Sequence, residues 1–208
     1  MSVGMEGRTT ALVLAGKRDG ATDPLARGAG VTHKCLVPVV GQPMLVHVID
    51  ALAASDRIGQ IRVAIEEPAV LDQLPQLRGL IATGRLAPVA AQPNLVDSVL
   101  AAADGATFPL LITTADNVLL TPDSVAEMLE GCKAQGADAA VAFTRREPPP
   151  VAPVLCVPAR ERARKKMGTF CCFTRGKCFE NDPKSVRNLR NFLKIIKPRN
   201  SHSKFFEK

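Results

Sequence analysis

Short apolar runs and longer helical segments take turns through the first 145 residues, and this alternation constrains the fold more than any other feature. Runs rich in β-formers fall at 10–15, 61–65, 87–91, 110–114 and 139–143. Between them the apolar residues change period. Met44, Val48 and Leu52 recur every four residues with Leu45 and Ile49 on the same face; Val96, Val99, Leu100 and Ala103 repeat the spacing, as do Val125, Met128, Leu129 and Cys132. Asn94 and Thr121 stand where helix N-caps belong, and Pro122 suits a first helical turn. The alternation predicts an α/β fold: three layers, α/β/α, around a mostly parallel, Rossmann-like central sheet. Right-handed crossovers then carry every parallel strand's carboxyl end to one rim, where ligands of open α/β sheets bind.

Two charged loops fall on that rim. The first run ends in LAGKRDG, residues 14–20, so glycines bracket Lys17 and Arg18. Gly16 permits close backbone approach, and the two cations can neutralise phosphate oxygens. The loop is neither a Walker A sequence nor GxGxxG. A third cation, Lys34, precedes the apolar CLVPVV and a Gly-Gln-Pro turn into a helix. The fourth run, LLITTAD, ends in Asp116. A carboxylate beside cations suits Mg²⁺ bound with a triphosphate, since that ion takes few carboxylates and completes its shell with waters and phosphates. Solvated surface charge and a turn aspartate are the plainer readings of the same residues. Three cations, a glycine turn and a carboxylate on one rim favour nucleotide chemistry.

The combination LAGKRDG at 14–20, Pro-Leu at 24–25, KCLVPVVGQPML at 34–45 and LLITTAD at 110–116 resembles the MobA-like nucleotidyltransferases of the glycosyltransferase-A type. The resemblance covers about residues 9–145. It implies a Mg²⁺-dependent transfer of a nucleoside monophosphate from a nucleoside triphosphate to a small phosphorylated acceptor, with release of pyrophosphate. It further implies backbone approach of Leu14, Ala15 and Gly16 to base and ribose, with Gly20 closing the loop. Lys17 and Arg18 would hold the β,γ-phosphates, Lys34 the α-phosphate, and Asp116 the Mg²⁺. The segment Asn94 to Ser98 would read the base, although Asn94 has an equally good use as a helix cap. No histidine is required as a base, and His47 is read as structural. Asp19, Asn117, Asn181 and Asp182 are the candidates for a second metal ligand.

Charge divides the chain. Residues 1–158 hold 12 Lys/Arg against 16 Asp/Glu, and residues 159–208 hold 15 against 4. Five prolines crowd 148–158, where neither helix nor central strand can continue. The expected organisation is a nucleotidyltransferase domain at 1–147, a linker at 148–158 and a basic tail at 159–208 with an amphipathic helix about 183–197. Asp182 and Pro183 would start that helix and Pro198 would stop it. Its stripe of Val186, Leu189, Phe192, Leu193 and Ile196 would pack on the sheet, or the helix would lie along nucleic acid or an acidic membrane. If the tail is foreign to the domain, the chain becomes a nucleotide-binding module without transfer. Six scattered cysteines lack zinc spacing and read as free thiols. With no secretory signal and no apolar stretch long enough to span a bilayer, the expected location is the cytoplasm.

Overall fold

The computed structural model describes residues 8–17, 23–136, 139–143 and 168–173, with Phe143 and the last stretch described by their backbone. Arg18, Gly20, the linker at 148–158 and the tail helix about 183–197 lie outside the described residues. Six strands form the main sheet in the order β5-β4-β1-β6-β8-β7. Strand β1 (Thr9–Leu14) sits inside it, parallel to β4 (Ile58–Ile65) on one side and to β6 (Leu110–Thr114) on the other. The strand β5 (Leu86–Ala90) extends the parallel set beyond β4. Two short strands, β2 (Pro38–Val39) and β3 (Gln42–Pro43), make a separate antiparallel hairpin.

A central strand covered on both faces needs apolar side chains at every position. TTALVL supplies them from Ala11 on, with Thr9 and Thr10 buried at its start. Ala11 and Val13 join one core cluster, and Leu12 joins the other. Helices α2 (Met44–Ala54) and α5 (Pro122–Ala134) cover the first face through Leu45, Val48, Ile49, Leu52, Val125 and Met128. Helix α4 (Leu95–Ala103) covers the second through Val99 and Ala102, packed with Leu12, Leu110 and Ile112. The three layers follow directly. Leu12 is fully buried, so truncation to alanine there costs about 2–5 kcal/mol.

Local chemistry ends the helices where the sequence predicts. Asn94 accepts the backbone N–H of Asp97 at 2.9 Å and caps α4. Thr121 and Ser124 form a reciprocal capping box at the start of α5, with Pro122 in its first turn. Two short helices complete the parallel half. Helix α1 (Pro24–Gly28) is capped by Asp23, and α3 (Arg78–Ala82) packs Leu80 and Ile81 against the core before β5.

The far edge differs from expectation. Strand β7 (Ala139–Phe143) forms as predicted but does not adjoin β6. Strand β8 (Gly168–Phe173) runs antiparallel between them, pairing Ile112 with Cys171 and Val141 with Cys171. The sheet thus draws on the sequence GTFCCF, beyond the boundary expected at 147–158. Its β-branched and aromatic residues carry a strand signal, one obscured by the basic residues around it.

Candidate nucleotide site

The connection leaving β1 leads to β4 on one side of the sheet, while the connection leaving β6 leads toward β7 on the other. Adjacent parallel strands whose connections part in this way open a crevice at their carboxyl ends. Two sequence-predicted residues meet there. The Lys34 Nζ donates to Asp116 Oδ2 at 2.6 Å, and Thr114 Oγ1 donates to Asp116 Oδ1 at 2.6 Å. Asp116 is carried by the turn that ends β6; Lys34 opens the 3₁₀ turn Lys34–Leu36, whose Cys35 and Leu36 anchor it in the core. Burial pushes the Asp116 carboxyl up, but the Lys34 and Thr114 hydrogen bonds and the Lys34 charge outweigh it, and the group ends below its ordinary value. It is an anion at neutral pH. Both side chains are more than a third exposed, 37% and 44%, so solvent screens the pair and its worth to folding is about 1 kcal/mol or less.

On the other side of β1 the glycine turn faces acids that sequence reasoning passed over. Leu14 accepts from Ala115 N–H at 3.0 Å and Ala15 donates to Ala64 at 2.9 Å. These bonds fix the height at which Gly16 leaves the sheet. The backbone N–H of Lys17 then donates to Glu66 Oε1 at 2.6 Å. A Cβ at Gly16 would lie 2.8 Å from that same oxygen, so a larger residue there would make the carboxylate shift. Lys17 Nζ lies 3.9 Å from Glu67 Oε1. Glu66 and Glu67 directly follow β4 in IRVAIEEP, and the rule that singled out Asp116 at a strand's carboxyl end applies equally to them.

His33 is 1% exposed, with Nε2 4.0 Å from Glu66 Oε2 and no hydrogen-bond partner among the described residues. Its Nδ1 lies 2.9 Å from Thr32 Oγ1. Burial, and next the Lys17 charge, lower its pKa against the opposing pull of Glu67 and Glu66, so the ring is neutral at pH 7. His47 is structural as expected, its Nε2 2.8 Å from the Val39 carbonyl of the hairpin. The Cys35 thiol is buried and pushed up to about 11 by that burial, which leaves it a packing residue.

The segment expected to read the base has its polar groups engaged within the chain. Asn94 caps α4 and also hydrogen-bonds the Asp97 carboxylate. Ser98 is buried; its Oγ accepts the Gln92 N–H at 2.8 Å and donates to the Asn94 carbonyl at 2.9 Å. Both residues organise the turn between β5 and α4. What that turn presents outward is the backbone and side chains around Gln92 and Pro93, both exposed. Among the described residues no three His, Cys, Asp or Glu side chains converge as an all-protein metal centre. Asp116 is a single carboxylate donor, suited to a hard cation whose remaining ligands are waters and phosphates.

No curated protein sequence matches the chain. Among solved structures it is similar to a hypothetical transferase from Thermus thermophilus, at 22% identity and TM-score 0.57 over 91% of this chain and 76% of that one. It is also similar to 4-diphosphocytidyl-2C-methyl-D-erythritol synthase from Anaerococcus prevotii, at 14% identity and TM-score 0.59, covering 90% and 82%. A third is CMP:2-keto-3-deoxy-manno-octonic acid synthetase complexed with CTP, at 13% identity and TM-score 0.51, covering 90% and 78%. At these identities the likeness is one of fold. The family model for the MobA-like NTP transferase domain matches residues 11–177, a span that takes in the glycine turn, Lys34, Asp116 and the inserted strand β8. The chain belongs to the MobA-like NTP transferase domain family.

Proposed function

We propose that the chain transfers a nucleoside monophosphate from a nucleoside triphosphate to a small phosphorylated acceptor, releasing pyrophosphate. The observation that carries this reading is the Lys34–Asp116 pair at the parting of β1 and β6, a cation and an anion held 2.6 Å apart where the fold binds ligands. An oxygen of the acceptor's phosphate attacks the α-phosphorus; the bond from that phosphorus to the bridging oxygen breaks, and pyrophosphate leaves. Such a displacement needs in-line positioning and neutralisation of charge, with no nucleophile from the protein.

The roles divide by position. Leu14, Ala15 and Gly16 set the floor under the nucleoside, and Lys17, Arg18 and Gly20 would hold the β- and γ-phosphates. Lys34 holds the α-phosphate as it becomes five-coordinate. Asn94 and Ser98 shape the base-proximal turn through the hydrogen bonds that define it. Asp116 would hold a Mg²⁺, whose charge would help neutralise the phosphates. A buried neutral His33 and a raised Cys35 thiol supply neither a surface base nor a thiolate, consistent with a direct displacement.

The testing experiment is a thermal-shift panel of ATP, GTP, CTP and UTP, each with and without Mg²⁺. One nucleotide raising the melting temperature in a Mg²⁺-dependent way is the expected result. Four nucleotides without effect would overturn the proposal.

A further inference from the structure

We propose that Glu66 is an internal anion on the phosphate loop, which an incoming phosphate displaces from the Lys17 amide toward His33. The inference rests on the nucleotide reading above, since it concerns the same loop.

Three observations meet at this carboxylate. Its Oε1 accepts the Lys17 backbone N–H at 2.6 Å, in the turn that leaves β1. Gly16 leaves room for this approach, since a Cβ there would stand 2.8 Å from the same oxygen and the carboxylate would have to shift. Finally, the buried His33 Nε2 has no hydrogen-bond partner among the described residues and lies 4.0 Å from Glu66 Oε2. That distance exceeds a hydrogen bond, yet a small rotation of a flexible glutamate closes it. The ring's Nδ1 lies 2.9 Å from Thr32 Oγ1; in the tautomer in which Thr32 donates to Nδ1, the neutral imidazole carries its proton on Nε2 and has a donor to offer.

The two positions of Glu66 are therefore chemically distinct. In the first the carboxylate satisfies the loop amide and leaves His33 unpaired. In the second it pairs with His33 and frees the amide. A phosphate at Lys17 favours the second position twice over, by competing for the N–H and by repelling the carboxylate. Glu67, 3.9 Å from Lys17 Nζ, adds to the negative charge that a phosphate must overcome. The arrangement biases the loop against anions too weak to displace a carboxylate.

Titration calorimetry of the full chain with inorganic pyrophosphate and Mg²⁺ tests this without knowledge of the base. Glu66→Ala is expected to bind pyrophosphate about tenfold more tightly than the parent, the size of one charge-assisted hydrogen bond. Glu66→Gln should fall between them, and it serves as the second variant should the alanine form fail to fold. A readout that a merely structural glutamate would not move is the His33 Nε2 resonance. Pyrophosphate should shift it toward a hydrogen-bonded value in the parent and leave it unmoved in Glu66→Ala. Equal or weaker pyrophosphate binding by both variants overturns the inference while nucleotide binding by the parent stands. Absence of binding by all three proteins to pyrophosphate and to every nucleotide overturns the nucleotide reading as well.

Discussion

The Lys34–Asp116 pair can be weighed twice, once for folding and once for ligand binding, and the two weights should differ widely. Lys34→Met and Asp116→Asn each remove one charge from a contact that is more than a third exposed on both sides. Screening limits the interaction to about 1 kcal/mol, and about 1 kcal/mol moves the melting temperature of a domain this size by roughly 2–4 °C. The ligand-free melting temperature should thus fall by no more than that in either variant, with little further loss in the double variant. Ligand binding is the larger scale. A nucleotide at a hundredfold excess over its dissociation constant stabilises the folded chain by about 2.7 kcal/mol, or roughly 5–11 °C by the same conversion. Asp116→Asn should erase the Mg²⁺-dependent part of that rise, and Lys34→Met should reduce the rise with or without metal. The assay is differential scanning fluorimetry of the four proteins with the nucleotide that stabilises the parent. A full Mg²⁺-dependent rise in Asp116→Asn would refute the assignment, and a ligand-free loss well above 4 °C would make the pair structural.

Other perturbations separate the scaffold from the site. Val40 has φ of +49° at the tip of the β2–β3 hairpin, beside Gly41 at +79°, a turn whose first position suits asparagine and strains a β-branched residue. It is 96% exposed, so Val40→Asn loses no packing and should stabilise by about 1 kcal/mol in urea melts. Arg62 donates to the carbonyls of Ala102, Asp104 and Gly105 at the end of α4; Arg62→Ala should cost about 1.5–3 kcal/mol by the same measurement. For pH, His33 is held below its ordinary 6.5, so the unfolded chain binds the extra proton first. Stability should be flat above about 6.5 and fall as pH drops below it, by at most about 1.4 kcal/mol per unit, with the slope reduced in His33→Gln. Asp116, held below its ordinary 3.8, adds stability above that value which is lost as acid protonates it in the folded state.

Much of the sheet was legible because its central strands are buried on both faces, and such strands announce themselves as unbroken apolar runs. The runs at 10–15 and 110–114 are of this kind. The start of β4 was hidden by Gly59 and Gln60, which interrupt the run; Gln60 pairs with Thr10, and Gly59 falls at a shift in the register. Strand β8 was hidden differently. It is contributed from beyond a proline-rich stretch, and no local pattern states that a later segment will slip between β6 and β7. Sequential neighbours usually pair in space, and β6 and β7 are an exception.

The site was legible as a rim and illegible as a set of pairs. Strand ends located Lys17 and Asp116, because parallel topology sends every carboxyl end the same way. Which cation meets which anion depends on loops whose paths the sequence does not state. Lys34 reaches Asp116 across 82 residues, and Glu66 reaches the Lys17 amide across 49. Before any ligand arrives, the groups suited to phosphate and metal are thus already matched to charges of the chain's own. Such matching keeps a polar crevice compatible with a stable fold, since unpaired half-buried charge is costly. It also means that binding is an exchange of partners. A metal alone must displace Lys34 from Asp116, and a phosphate alone must displace Glu66 from Lys17. Arriving together, phosphate and cation supply each displaced residue with a new opposite charge or donor, so the two should bind with positive coupling, each tightening the other by the same factor.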